Sequence, residues 1–158
     1  MGMTGKYLAV DSSELEKLVQ GQWKVDQLDV DQYPELDIDK SWQGIHLWLC
    51  RDYFDGQPPQ GYVVPMLKDQ ALELEPYGAY YLYPQQVQQA AEWLAASTDE
   101  QLASSYDFAS MMEQAVYPTI EGEDEQEFYD YLHAHLRDIQ TFYQTAVTTG
   151  HGIVFYVF

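Results

Sequence analysis

A chain of 158 residues with 26 acidic side chains against 7 basic ones carries a formal charge of −19, a field that repels nucleic acid phosphates and anionic lipid surfaces. A domain of this length buries an adequate core without staples, and its single cysteine, Cys50, excludes an internal disulfide framework and a cysteine-rich zinc knuckle. One thiol suits a reducing compartment, and the start MGMTGKYLAVDSSELEK lacks the apolar stretch of a secretory signal, so a cytoplasmic location is expected.

Residues 6–10, KYLAV, read as a short strand, and the helix after it has Asp11 as N-cap, Glu14 in the capping-box position and Gly21 just past its end. Residues 22–35 lose clean periodicity, carry Asp26, Asp29, Asp31 and Pro34, and read as a connector. In LDIDKSWQGIHLWLC, residues 36–50, Ile38, Trp42, Ile45 and Leu49 recur at steps of four, three and four, which predicts a helix with those side chains on one core-facing stripe. Asp37 or Asp39 then caps its start, where a carboxylate accepts from free backbone N–H groups. His46 falls one turn after Trp42 and one before Leu49, at the stripe's edge, the place of a packed and hydrogen-bonded histidine.

Residues 52–66, DYFDGQPPQGYVVPM, are punctuated by glycines and prolines and read as a loop, whose Tyr53, Phe54 and Tyr62 either line a pocket or pack it onto the core. GAYYLYP reads as a strand running directly into a helix that begins at Pro84 and presents Val87, Ala90, Ala91 and Leu94. A short helix with Ser97 or Thr98 as cap follows, and FASMMEQAVYP continues helically until Pro118. Residues 124–149 read as a long helix striped by Phe128, Tyr131, Leu132, His135, Leu136, Ile139, Phe142, Tyr143 and Ala146, with Gly150 at its end, and GIVFYVF closes the chain as a buried strand. No run reaches the roughly eighteen apolar residues of a membrane span.

LDIDKSWQGIHLWL resembles the signature of the YfbM-like family, bacterial domains of unknown function, through Asp37, Asp39, Lys40, Trp42 and His46 at fixed spacing. The MGM start, the PYGAYYLYPQQV junction and VYP before the acidic start of the long helix agree, so the resemblance spans nearly the whole chain. It implies a single compact α+β domain over residues 1–158. With the elements above, that is a small mixed or antiparallel sheet of short strands packed with several helices, ending in a long helix and a final buried strand. The resemblance supplies no catalytic residue.

Chemistry is therefore judged residue by residue. An EF-hand built on Asp37, Asp39 and Ser41 would need Gly where Trp42 stands and Glu where Trp48 stands. For zinc, His133 and His135 point about 200° apart on a helix, and His133 with Asp130 lacks a third ligand. No metal and no cofactor are expected. The chain has no G-x-S-x-G elbow, P-loop, G-x-G-x-x-G or H-E-x-x-H, and Cys50, following an apolar helix face, reads as an inert thiol. A hydrolase-like enzyme would use Asp39 and His46, helped by Asp37, as an acid–base cluster. For a substrate or other small molecule, the binding candidates are Asp37, Lys40, Trp42, Tyr53 and Tyr62. Seven residues span about 10 Å of helix, so Asp39 and His46 meet only with Asp39 outside it.

The leading expectation is an acidic, tyrosine-rich interaction protein that binds a basic protein partner, an immunity or antitoxin role against a cationic toxin being one version. Direct nucleic acid binding and membrane association are not expected. Acidic surfaces also serve solubility alone. DNA mimicry would need two rows of acids at phosphate spacing, and the many aromatics that read as buried lend it no support. A toxin-like neighbouring gene favours the interaction protein and a metabolic operon favours the enzyme.

Overall fold

In the computed structural model, which describes residues 2–158, β1 (Gly5–Val10) leads directly into α1 (Ser12–Val19), capped by Asp11, whose carboxylate accepts the N–H of Glu14 at 2.9 Å. A connector brings the chain to β2 (Glu35–Asp37), a 3-10 turn (Asp39–Ser41) and α2 (Trp42–Cys50). After the proline-rich loop come β3 (Ala71–Leu72), β4 (Ala79–Leu82), α3 (Pro84–Ala96), α4 (Asp99–Ser105) and α5 (Phe108–Glu113). The chain finishes with α6 (Glu125–Thr149) and β5 (Gly152–Val157). The fold is α+β, and none of these helices is long and apolar enough to cross a membrane.

The strands form one antiparallel sheet in the order β2-β1-β5-β4-β3. β1 and β5 lie at its centre and pair from Gly5 opposite Val157 to Val10 opposite Gly152, which explains their nearly unbroken apolar sequences: both faces are covered. Tyr7, Ala9, Ile153 and Phe155 face the layer built by α2, α3 and α6, while Leu8, Val10 and Val154 face α1 through Leu15 and Leu18.

Local signals set most boundaries as expected. Thr98 caps α4 by accepting the N–H of Gln101 at 3.1 Å, Asp124 caps α6 by accepting that of Glu127 at 2.9 Å, and Gly150 closes α6 with a φ of 70°.

Two segments depart from their periodicity. The helical pattern begins at Ile38, yet Leu36 sits in β2 opposite Tyr7, the N–H of Ile38 donates to Gly5 O at 3.0 Å, and Asp39 takes a left-handed φ of 51°. The free edge of β1 satisfies these backbone groups, and the side-chain stripe gives way. Neither Asp37 nor Asp39 caps α2, because Asp37 Oδ1 accepts the N–H of Asp39 at 2.7 Å before the helix begins. Likewise FASMMEQAVYP is helical only to Glu113, since Ala115 turns left-handed and delivers Val116 into the core.

α2 is also buried on more than one face: Trp42, Gly44, Ile45, His46, Leu47 and Trp48 are all enclosed. A methyl group at Gly44 would lie 2.8 Å from Leu132 Cδ2, so glycine permits the close approach of α2 and α6. The loop expected after α2 folds down onto this layer, with Val63, Val64 and Met66 buried. Two fully buried tyrosines hold it there. Tyr7 Oη donates to Val63 O at 2.7 Å, and Tyr143 Oη reaches Tyr62 O at 2.8 Å and Val63 O at 3.1 Å.

Tyr143→Phe removes the donor serving Tyr62 O. The expected cost is about 1–2 kcal/mol of stability and a melting temperature lower by roughly 2–5 °C, read by near-UV circular dichroism. An unchanged melting temperature contradicts the clamp.

Candidate functional site

The first turn of α2 holds the start of the chain. Trp42 Nε1–H donates to Met3 O at 2.9 Å, the N–H of Met3 donates to Tyr117 Oη at 2.7 Å, and the N–H of Tyr117 donates to Gln43 Oε1 at 2.7 Å. Thr4 and Phe158 exchange two backbone hydrogen bonds at 2.9 and 3.0 Å, which fixes the last residue beside this corner. Pro76 and Tyr77, from the turn before β4, complete a groove of about 550 Å³ lined with Gly2, Met3, Tyr117 and Phe158. Tyr77 is 52% exposed and Phe158 49%, so two large rings face solvent in one place. Gly2 and Met3 and the segments DKSW, PYG and VYP, far apart in sequence, all meet around this corner.

Charge surrounds the rings. Lys6 Nζ lies 5.0 Å from the centroid of Phe158 and 3.9 Å from Glu35 Oε1. Burial pushes the Tyr156 phenol up, and the carboxylates of Glu35 and Asp37 add to that push. Lys40 stretches over Gly2, where a Cβ would meet its Cε at 2.5 Å. Beyond Pro76 lies a second depression, of about 380 Å³, lined by Asp26, Glu73, Glu75 and Lys24.

Asp39 is exposed and bonded to Tyr131, whose Oη donates to Asp39 Oδ2 at 2.7 Å and accepts the N–H of Lys40 at 3.0 Å. That hydrogen bond holds the Asp39 carboxyl below the usual carboxylate range, while burial and the neighbouring carboxylate push the Tyr131 phenol up. One group therefore stays ionised and the other protonated near neutral pH, which is unsuited to exchanging a proton in catalysis.

His46 is 1% exposed and turned elsewhere: Nδ1 lies 2.8 Å from Asp52 O and Nε2 2.5 Å from Asp55 O. A neutral ring donates to one of these carbonyls and a protonated ring to both. Burial pushes its pKa below 6.5, outweighing the opposite pull of the two carbonyls and of the Asp52 and Asp55 carboxylates. Asp39 and His46 thus bond to different partners and do not form the anticipated dyad.

The remaining candidates separate in the same way. Lys40 and Trp42 lie against Gly2 and Met3 of the groove and Asp37 sits in β2 opposite Lys6, whereas Tyr53 Oη donates to Gln114 O and Tyr62 lies partly buried against the core. His133 Nε2 pairs with Asp99 Oδ1 at 2.9 Å, the oxygen that Arg137 also binds, and so belongs to an ion-pair cluster joining α6 to α4. Among the described residues, no three His, Cys, Asp or Glu side chains are placed to hold one metal ion. Burial pushes the Cys50 thiol up to about 11, as an unreactive thiol requires. Pro76, Tyr77, Tyr117 and Phe158 were not legible as a site, because nothing local announces that their rings converge.

His46→Ala removes the one ring N–H that a neutral imidazole donates to the Asp52 or Asp55 carbonyl and opens a cavity beside α2; about 2–4 kcal/mol of stability should be lost in urea unfolding. Below pH 6.5 the unfolded chain binds a proton at His46 that the native ring resists, so this residue's contribution is present above 6.5 and lost as pH falls. The stability gap between wild type and His46→Ala should shrink between about pH 7.5 and 5.5. A gap that widens on acidification contradicts the neutral buried ring.

The family model for a domain of unknown function, DUF1877, matches residues 1–156. The crystal structure of YfbM from Escherichia coli, a protein of unknown function, aligns with a TM-score of 0.79 at 17% identity, covering 98% of this chain and 99% of that one. At that identity the likeness is one of fold alone. Among curated protein sequences none matches the chain. The match across nearly its whole length places this chain in the DUF1877 family, with a YfbM-like fold.

Proposed function

We propose that this protein is a single-domain, cytoplasmic bacterial interaction module whose acidic surface binds a basic protein. The observation that carries this reading is the uncompensated charge. Lys6, Lys24, Arg51 and Arg137 already face Glu35, Glu73, Asp107 and Asp99, so the cations left over are far too few for the remaining carboxylates. Self-repulsion at −19 opposes compactness, and a cationic partner relieves it while the same field accelerates encounter. Exposed Tyr77 and Phe158 supply anchors of the kind that interfaces favour. An immunity or antitoxin role against a cationic toxin is the concrete version of such a pairing.

The test is affinity capture from native cell lysate at about 50 mM and about 500 mM salt, since screening separates charge-led association from other kinds. Recovery of a basic protein at the lower salt only is the expected result. Recovery of nothing at low salt overturns the reading and turns attention to a small molecule in the groove.

A further inference from the structure

Resting on that reading, we propose that the groove between Tyr77, Tyr117 and Phe158 is the seat for an extended lysine- or arginine-bearing segment of the basic partner. One basic side chain lies against the aromatic rings, and another, further along the segment, enters the acidic depression beyond Pro76.

The chain's own lysines show how these surfaces bind cations. Lys6 Nζ sits 5.0 Å from the centroid of Phe158 in the groove, and outside it Lys17 Nζ sits 4.5 Å from that of Trp23. A ring face attracts an ammonium or guanidinium group, while the aliphatic stem covers apolar surface. Two bonds to Thr4 fix the Phe158 backbone beside the groove, and the Tyr117 ring is preorganised by the Met3 N–H donated to its Oη.

Electrostatics selects the occupant. Glu35, Asp37 and Asp39 flank the β2 side, Glu73 and Glu75 lie past Pro76, and Lys6 and Lys24 are already paired with Glu35 and Glu73. Lys40 is the remaining cation at this corner, and Asp39 lies beside it. A second copy of the chain would bring another charge of −19 to the same place, so self-association through the groove is opposed. The two depressions share Pro76, which lets one extended segment cross from rings to carboxylates.

The test is calorimetric titration of the full chain with an octalysine peptide at about 50 mM salt, then at about 300 mM. The variants are Tyr77→Ala with Phe158→Ala, Glu73→Gln with Glu75→Gln, and, as an equal charge change elsewhere, Glu92→Gln with Glu100→Gln. All six side chains are exposed, and melting temperatures confirm that each variant folds. The expected result is salt-sensitive binding that falls on the order of tenfold in the ring variant and severalfold in the groove acid variant, and holds in the distant one. Equal loss in the two acid variants, with none in the ring variant, overturns the groove while leaving a basic partner in place. Absence of binding at the lower salt overturns the basic partner and the groove together.

Discussion

The interaction on which the rest of the molecule depends is the buried pair Tyr7 and Tyr143, which meet edge to face with ring centroids 5.7 Å apart and converge on Val63 O. Tyr7 comes from a central strand, Tyr143 from the long helix, and Val63 from the proline-rich loop. One carbonyl thus ties sheet, helix layer and loop together. Burial holds both phenols well above their ordinary range, so they remain neutral donors throughout the pH range of a living cell. With the loop pinned flat, α2 lies enclosed between it and α6, and His46 is left to anchor the turn at Asp52 and Asp55.

That arrangement separates chemistry by depth. The deepest polar side chains, Tyr7, Tyr143, Trp48 and His46, are bonded to backbone carbonyls, Trp48 to Leu102 O at 3.0 Å, for example. The carboxylates lie towards the outside, where hydration stabilises them and where their field acts on other molecules. The surplus of aromatic residues serves both zones. Tyr7, Tyr143 and Trp48 fill the core, while Tyr77 and Phe158 remain on the surface beside acids.

Elements with strong local chemistry were legible in the sequence. Asp11 caps the helix it announces, Thr98 proves to be the cap of the pair Ser97 and Thr98, Pro84 starts α3, and the apolar runs of β1 and β5 become the centre of the sheet. What failed was settled by distant partners. The start of α2 departs from its periodicity because β1, some thirty residues earlier, offers its edge to residues 35–38. The two-residue β3 exists only by pairing with β4, and no period is visible in so short a run. For the site, Trp42 and Lys40 of DKSW lie against Met3 and Gly2 at the groove, whereas the dyad required Asp39 and His46 to share a partner, and tertiary packing gives them different ones. The groove itself is assembled from both chain ends and two turns, a convergence that sequence spacing does not encode.

The most direct measurement is a heteronuclear NMR titration following the indole N–H signals of the four tryptophans as a basic partner or the lysine peptide is added. Trp42 reports on the groove through Met3, Trp48 on the enclosed core, and Trp93 on a separate surface cleft beside Pro58 and Pro59. With a basic segment seated in the groove, the Trp42 signal shifts, together with the amides of Met3, Tyr77 and Phe158, while Trp48 and Trp93 stay in place. Movement of Trp93, or of Trp48 and the amides around His46, with Trp42 unmoved would contradict that seating.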